Sequence, residues 1–326
     1  VIDSPPVPFP PRIAAVPPVI PRPSPAFPPQ RDPVKLHLNG HLVDERDAHI
    51  SVLDRGFLFG DGVYELMRFF DGHGVGVDAH ARRLARSLEL ARIRGFDATR
   101  LGAICDALLE ANGLRDAVVY LQVTRGAGRV RAHVPTEPLV PTVVAIASPA
   151  EPIASLTAPQ EVAAITAEDM RWRLCEIKTL SLMGNILHLL DADAQGANEA
   201  LLHRDGFVGE GAYSNLAIVR RGVLATTPIA EEPPILHGTA RADLLAAARH
   251  AGIPAEIRRI ALTELADADE IMITSSRRLV SAVTRLDGRP VRDGHAGPVT
   301  RALFGQMRDD IAATILAGAG ARASHA

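Results

Sequence analysis

The chain has 326 residues, of which 47% are hydrophobic and 22% charged, so it can bury a sizeable core and is long enough for about two domains. Its 35 Lys and Arg against 38 Asp and Glu give a formal net charge of -3, which leaves no basic field for nucleic acid and no polybasic stretch for an anionic membrane. A small-molecule partner is expected. Cys105 and Cys175, the two cysteines, stand far apart without metal-ligand or redox-motif spacing, and neither a membrane-spanning run nor a secretory leader is visible. The expected compartment is therefore the cytoplasm.

Residues 1–33 hold 13 of the 25 prolines. Repeated proline removes backbone donors and fixes φ, so a disordered or polyproline-like tail is expected there. From Val34 the pattern alternates around Asn39-Gly40, as a β-hairpin does. Helices are expected over residues 80–94, from the spacing of Leu84, Leu88 and Ala91, and over 101–112, closed by Gly113. Strands follow at 117–125 and 142–147. Pro149, Pro152 and Pro159 then break the pattern, which divides the chain into a smaller α/β domain at 34–149, a linker at 150–157 and a larger domain at 158–318, with 319–326 as a C-terminal tail. In the larger domain, strands are expected at 162–166, 199–202, 216–219, 223–226 and 270–274, a turn at Asp287-Gly288, and helices at 185–195, 240–251 and 300–316.

The chemistry-bearing residues lie in a few segments. Lys178 sits in an apolar stretch, Cys175 to Leu182, where an ammonium is costly to desolvate; burial would push it toward the neutral amine that attacks carbonyls. Taken alone, such a lysine more often carries its head to water. Asp54 to Glu65 has three glycines that allow close backbone approach and ends in Tyr64-Glu65. Gly209 to Asn215 carries Glu210 in a tight turn before a strand. Ile235 to Arg241 is a glycine turn opening a helix, where unpaired N–H groups favour phosphate. Thr274-Ser275-Ser276 supplies hydroxyls after a strand.

In this order and at these separations, residues 34 to 311 resemble the fold-type-IV pyridoxal-phosphate aminotransferases, and Arg125 to His133 is similar to the Arg-x-His carboxylate clamp of the D-amino-acid branch. The resemblance implies a two-domain α/β enzyme using pyridoxal 5'-phosphate, with Lys178 as the Schiff-base lysine that carries a proton between Cα and C4′. It makes Glu210 the partner of the pyridine nitrogen. Arg83, the backbone of Thr239 and Ala240, and the hydroxyl of Ser276 become a phosphate cup, with Arg82 facing outward. It implies that Tyr64, Arg131 and His133 hold the substrate's α-carboxylate. In the resembled enzymes the Arg and His come from a partner chain, so a homodimer acting on amino acids and 2-oxo acids is implied.

The clamp loop is one residue longer than the family form, leaving Arg129 as an alternative to Arg131. Tyr213 replaces a small residue, and Arg277 and Arg278 replace small polar ones. Cys175 and Trp172 are expected in the core. Aminodeoxychorismate lyases and branched-chain L-aminotransferases share the fold, which does not separate them. A non-enzymatic partner-binding protein is disfavoured by Lys178, Glu210 and Arg83 occurring together. Deleting residues 1–32 is expected to leave activity and melting temperature nearly unchanged. A large loss of either, measured side by side with the full chain, would show that the segment packs on the catalytic body.

Overall fold

The computed structural model describes residues 34–229 and 231–323, so the expectation of a disordered segment at 1–33 lies outside the described residues. In the first unit, β1 (Lys35–Leu38) and β2 (His41–Asp44) form the hairpin, with Asn39 and Gly40 both at positive φ as a two-residue turn of this hand requires. A five-residue helix α1 (Arg55–Phe59) precedes the long strand β3 (Gly62–Phe70), and β4 (His73–Gly74) turns back on it. Then come α2 (Val77–Leu90), α3 (Leu101–Ala111), β5 (Ala117–Thr124) and β6 (Thr142–Pro149). The six strands form an antiparallel sheet in the order β2-β1-β6-β5-β3-β4. Val63, Met67, Val119 and Leu121 of the sheet pack with Leu84, Leu101 and Leu108 of the two helices.

Helix α2 is displaced from the expected span 80–94. It begins after Gly76 in the left-handed conformation rather than at a polar cap, and it ends where Arg92 turns left-handed and Ile93 N–H returns to the Leu88 carbonyl. Ser148 and Pro149 still pair with Val118 and Ala117, so β6 runs up to residue 149. A proline is tolerated there because the strand's last residue can forgo its ladder donor.

The second unit runs β7 (Gln160–Glu168), α4 (Met183–Ala194), β8 (Glu199–Arg204), β9 (Phe207–Gly211), β10 (Asn215–Arg220) and β11 (Val223–Thr226). It continues with α5 (Thr239–His250), β12 (Ala255–Ile257), β13 (Ile260–Ala261), β14 (Glu270–Ser275), β15 (Leu279–Leu286), β16 (Arg289–Pro290) and α6 (Pro298–Ala323). These strands form one mixed sheet, β12-β11-β10-β14-β15-β7-β8-β9-β13, with β16 beside β15; β15, β7 and β8 run parallel and most other pairs antiparallel. α5 and α6 cover one face through Leu244, Ala247, Leu303 and Phe304. Helix α6 extends through Ala323, beyond the expected end at 316 and into the expected C-terminal tail. No helix among the described residues is long and apolar enough to cross a membrane.

Candidate active site

A cavity of about 450 Å³ takes residues from both units, and Tyr64, Arg83, Lys178, Glu210, Thr239, Ala240 and Ser276 all line it. Lys178 lies on the irregular stretch between β7 and α4, and this stretch is held as a short extra strand against β3. Tyr64 N–H donates to the Lys178 carbonyl and Leu180 N–H to the Gly62 carbonyl, each at 2.9 Å, with Thr179 bridging Val63. Only glycine fits at 62, since a Cβ there would stand 2.6 Å from Leu180 Cδ1 and 2.9 Å from the Val123 carbonyl oxygen. The pairing sets the lysine Nζ 4.3 Å from the centre of the Tyr64 ring, where the ring face favours the charged head and the aliphatic stem stays half-buried.

Glu210 is buried and lies in strand β9, not in the turn expected from its glycines. Its two oxygens are held from three sides: Arg171 Nη1 donates at 3.0 Å, Asn215 Nδ2 at 3.1 Å and Leu236 N–H at 2.9 Å. Burial pushes the carboxyl up from the ordinary range, while Arg171 and the Leu236 N–H pull it back. Arg171 is fixed in turn by both oxygens of Asp169, at 2.9 and 3.0 Å. Gly238 completes the arrangement, because a Cβ on it would fall 1.7 Å from Asn215 Oδ1 and drive that side chain off Glu210.

Also on the cavity wall, the first turn of α5 presents Thr239 and Ala240, whose N–H groups a helix cannot pair internally. Thr239 Oγ1 lies 3.3 Å from Ser276 Oγ and 3.3 Å from His80 Nε2. Arg83 is buried and Arg82 exposed. Arg83 donates to both oxygens of Glu65, at 2.8 and 2.7 Å, and to the His237 carbonyl at 2.9 Å. His80 Nδ1 makes a third contact to Glu65, at 2.7 Å. Desolvation alone would raise the Glu65 carboxyl, but Arg83 and His80 outweigh it and hold it down at about 2.

Arg131 and His133 do not reach this cavity. Both are exposed on the loop between β5 and β6, beside the Phe59 ring. Arg129 is also exposed there and pairs with Glu137 at 3.4 Å. Tyr213, Arg277 and Arg278 line the cavity. Trp172 is not a core residue: it is 45% exposed on the irregular stretch before Lys178, where no helix or strand turns it inward, whereas Cys175 is buried.

Arg171, Glu65 and His80 are the participants that motif reading missed. Arg171 is one of several arginines in a segment without periodicity, and the i, i+3 spacing of His80 and Arg83 on one helix face was the available signal for the cluster around Glu65. Replacing Glu65 with Gln would strand a buried guanidinium, at a cost of about 3–5 kcal/mol in unfolding free energy. The carboxylate's stabilisation is full above its ordinary 4.5 and is lost as pH falls toward about 2. Denaturant titration of Glu65→Gln measures this, and a loss under about 1 kcal/mol would contradict the pairing.

Residues 62–286 match the family Amino-transferase class IV. Over 280 residues the chain is 38% identical to a D-alanine aminotransferase of Listeria monocytogenes, covering 85% of this chain and 96% of that protein. It is 37% identical over 271 residues to a D-alanine aminotransferase of Staphylococcus epidermidis, covering 82% of this chain and 95% of the relative. Among solved structures, a T.th. branched-chain amino acid aminotransferase with pyridoxamine 5'-phosphate has a TM-score of 0.78 at 25% identity, covering 85% of this chain and 94% of that one. The branched-chain enzyme of Escherichia coli, with a TM-score of 0.74 at 23% identity and coverage of 83% and 92%, shares the fold. With the family match reaching into both sheets and containing every residue that lines the cavity, the chain belongs to the class IV aminotransferases.

Proposed function

We propose that the chain is a pyridoxal-phosphate transaminase that moves the amino group of a D-amino acid, such as D-alanine, to a 2-oxo acid, such as 2-oxoglutarate. The observation that carries this is the meeting, in one cavity, of the Lys178 amine, the buried Glu210–Arg171 pair and the N-terminus of α5. The residues fit the cofactor. Lys178 would attach it, Glu210 would face its ring nitrogen, and Thr239, Ala240, Ser276 and Arg83 would take its phosphate. Thr274 Oγ1, buried on the cavity wall without a partner among the described residues, offers one more polar contact. Bound there, the cofactor supplies an electron sink for the pair left when the Cα–H bond breaks.

The chain's own residues do the rest. Glu210 keeps negative charge against the ring nitrogen, steadied by Arg171 and Asn215. The Lys178 amine would take the Cα proton and return it on the far side of the transfer. Tyr64 stands beside it and would help hold the α-carboxylate.

The remaining carboxylate contacts, Arg131 and His133, come in this reading from a second copy of the chain, which makes the enzyme a homodimer. Exposed Phe57 on α1, Val130 and Val134 on the clamp loop, Met170 and Leu174 on the stretch before Lys178, and Met183 and Leu190 on α4 supply apolar surface for such a contact. The clamp then fixes which face of Cα meets Lys178 and selects the D enantiomer. The compartment is read as the cytoplasm, with Cys105 and Cys175 both free and buried.

Lys178→Ala is expected to abolish transamination while leaving the circular-dichroism spectrum and melting curve close to wild type. Borohydride reduction of the wild-type holoenzyme followed by peptide mapping should put the label on Lys178, and a label on Lys35 would refute the assignment. Mixing holoenzyme with D-alanine, without acceptor, should convert the cofactor absorbance to the pyridoxamine form within one turnover, and L-leucine should not. Faster conversion by L-leucine would make the enzyme a branched-chain L-aminotransferase, and pyruvate release from aminodeoxychorismate would make it a lyase.

A further inference from the structure

Arg55 opens α1 and is buried although nothing in the cavity touches it. Its Nε donates to Asp61 Oδ2 at 2.7 Å, and its Nη1 and Nη2 donate to the backbone carbonyls of Ala132 and His133 at 2.5 and 2.7 Å. Those two carbonyls follow directly on Arg131, so the guanidinium grips the backbone of the clamp itself. Phe59, one turn along α1, lies beneath the same group: Arg55 Cζ is 4.9 Å and Arg131 Cζ 4.8 Å from its ring centre, and the His133 ring is 5.6 Å away.

The base of the loop is tied to the same element. Arg55 N–H donates to the Gly126 carbonyl at 2.9 Å and Arg125 N–H to the Asp61 carbonyl at 3.0 Å. Arg125 adds two side-chain bonds to Asp61, both at 2.8 Å. Burial would raise the Asp61 carboxyl, but the two arginines hold it below the ordinary range, so it stays an anion through the working pH. The loop tip has little else among the described residues: Val130 and Val134 are exposed and Arg129 pairs with Glu137.

We propose that Arg55 is a positioning residue for the carboxylate clamp, locking the backbone at Ala132 and His133 so that Arg131 and His133 are presented together to the neighbouring chain's cavity. The inference rests on the clamp reading above. Three acceptors spread around one plane call for a planar fork; a lysine head can keep the Asp61 pair but cannot serve both carbonyls as well. An unlocked clamp must be ordered again at each binding event, which weakens carboxylate recognition without changing the chemistry at Lys178.

The test compares holoenzymes carrying Arg55→Ala, Arg55→Lys, Arg131→Ala and Arg129→Ala, reading KM and kcat for D-alanine and 2-oxoglutarate and the inhibition constant of acetate as a bare carboxylate. Arg55→Ala is expected to raise both KM values and the acetate constant by about tenfold with a smaller change in kcat, and Arg55→Lys to fall between it and wild type. Adding Arg55→Ala to Arg131→Ala should cost little more than Arg131→Ala alone, because both remove one interaction. If Arg131→Ala or Arg129→Ala shows the carboxylate defect and neither Arg55 variant does, the role of Arg55 is overturned and the clamp stands. If neither Arg131→Ala nor Arg129→Ala shows it, the clamp fails and the role of Arg55 with it. Should Arg55→Ala not fold, Arg55→Lys decides, and an unchanged acetate constant in it overturns the proposal.

Discussion

Two hydrogen bonds between β3 and the stretch around Lys178 set the geometry on which the rest depends. β3 belongs to the first sheet and the lysine to the second unit, so Tyr64 N–H to Lys178 and Leu180 N–H to Gly62 stitch the units together at the cavity floor. Ser87 of α2 adds a third tie, accepting the Lys178 N–H at 3.2 Å. Across the cavity, Arg83 reaches the His237 carbonyl and closes the second crossing. With backbone on both sides fixed, the lysine has little choice of direction, which is what the proposed role, attaching a cofactor and carrying a proton, would require.

Around that floor the chain buries ionic groups in two clusters, which meet the consecutive residues Leu236 and His237. Asp169, Arg171, Arg204 and Glu210 form one, and Glu65, His80 and Arg83 the other. Desolvation makes such clusters a poor source of stability. Their use is positional: the pairs share acceptors so fully that no member can rotate without stranding another. The two carboxylates are tuned apart. Glu65, gripped by an arginine fork and an imidazole, is held at about 2, whereas burial is the largest influence on Glu210 and pushes it up. Arg171 and the Leu236 N–H offset part of the burial at Glu210, and Glu65, held low, is a fixed anion behind Arg83.

Much of this was legible in the residues, and the failures have physical causes. The hairpin at Asn39-Gly40, α3, α4, α5 and the strands around Leu216 and Ile271 follow from turn chemistry and periodicity. The reading failed where tertiary contacts overrode local signals. α1 is too short for a helical period and is set by Asp54 capping Gly56 N–H and by the Arg55–Asp61 pair. Glu210 looked like a turn residue because it lies between two glycines, yet those glycines permit close packing within a strand; a Cβ on Gly211 would stand 2.7 Å from Glu199 Oε2. β15 is missed apart from its last residue, Leu286, because it follows directly on Arg277 and Arg278, and Trp172 is placed in the core on residue type alone. Lys178, Glu210, Arg83, Thr239, Ala240, Ser276 and Tyr64 share the cavity because the motif order encodes a topology that periodicity does not express.

The proposed division of the active site between two chains is the claim on which the D-amino-acid reading turns, since Arg131 and His133 stand outside the cavity that holds Lys178. Complementation between two damaged chains tests it most directly. Lys178→Ala and Arg131→Ala chains, dissociated, mixed in equal amounts and reassembled, should regain at low substrate about one quarter of the wild-type rate, because half of the dimers would be hybrids with one intact site each. A mixture no more active than the average of the two variants alone would contradict the shared site.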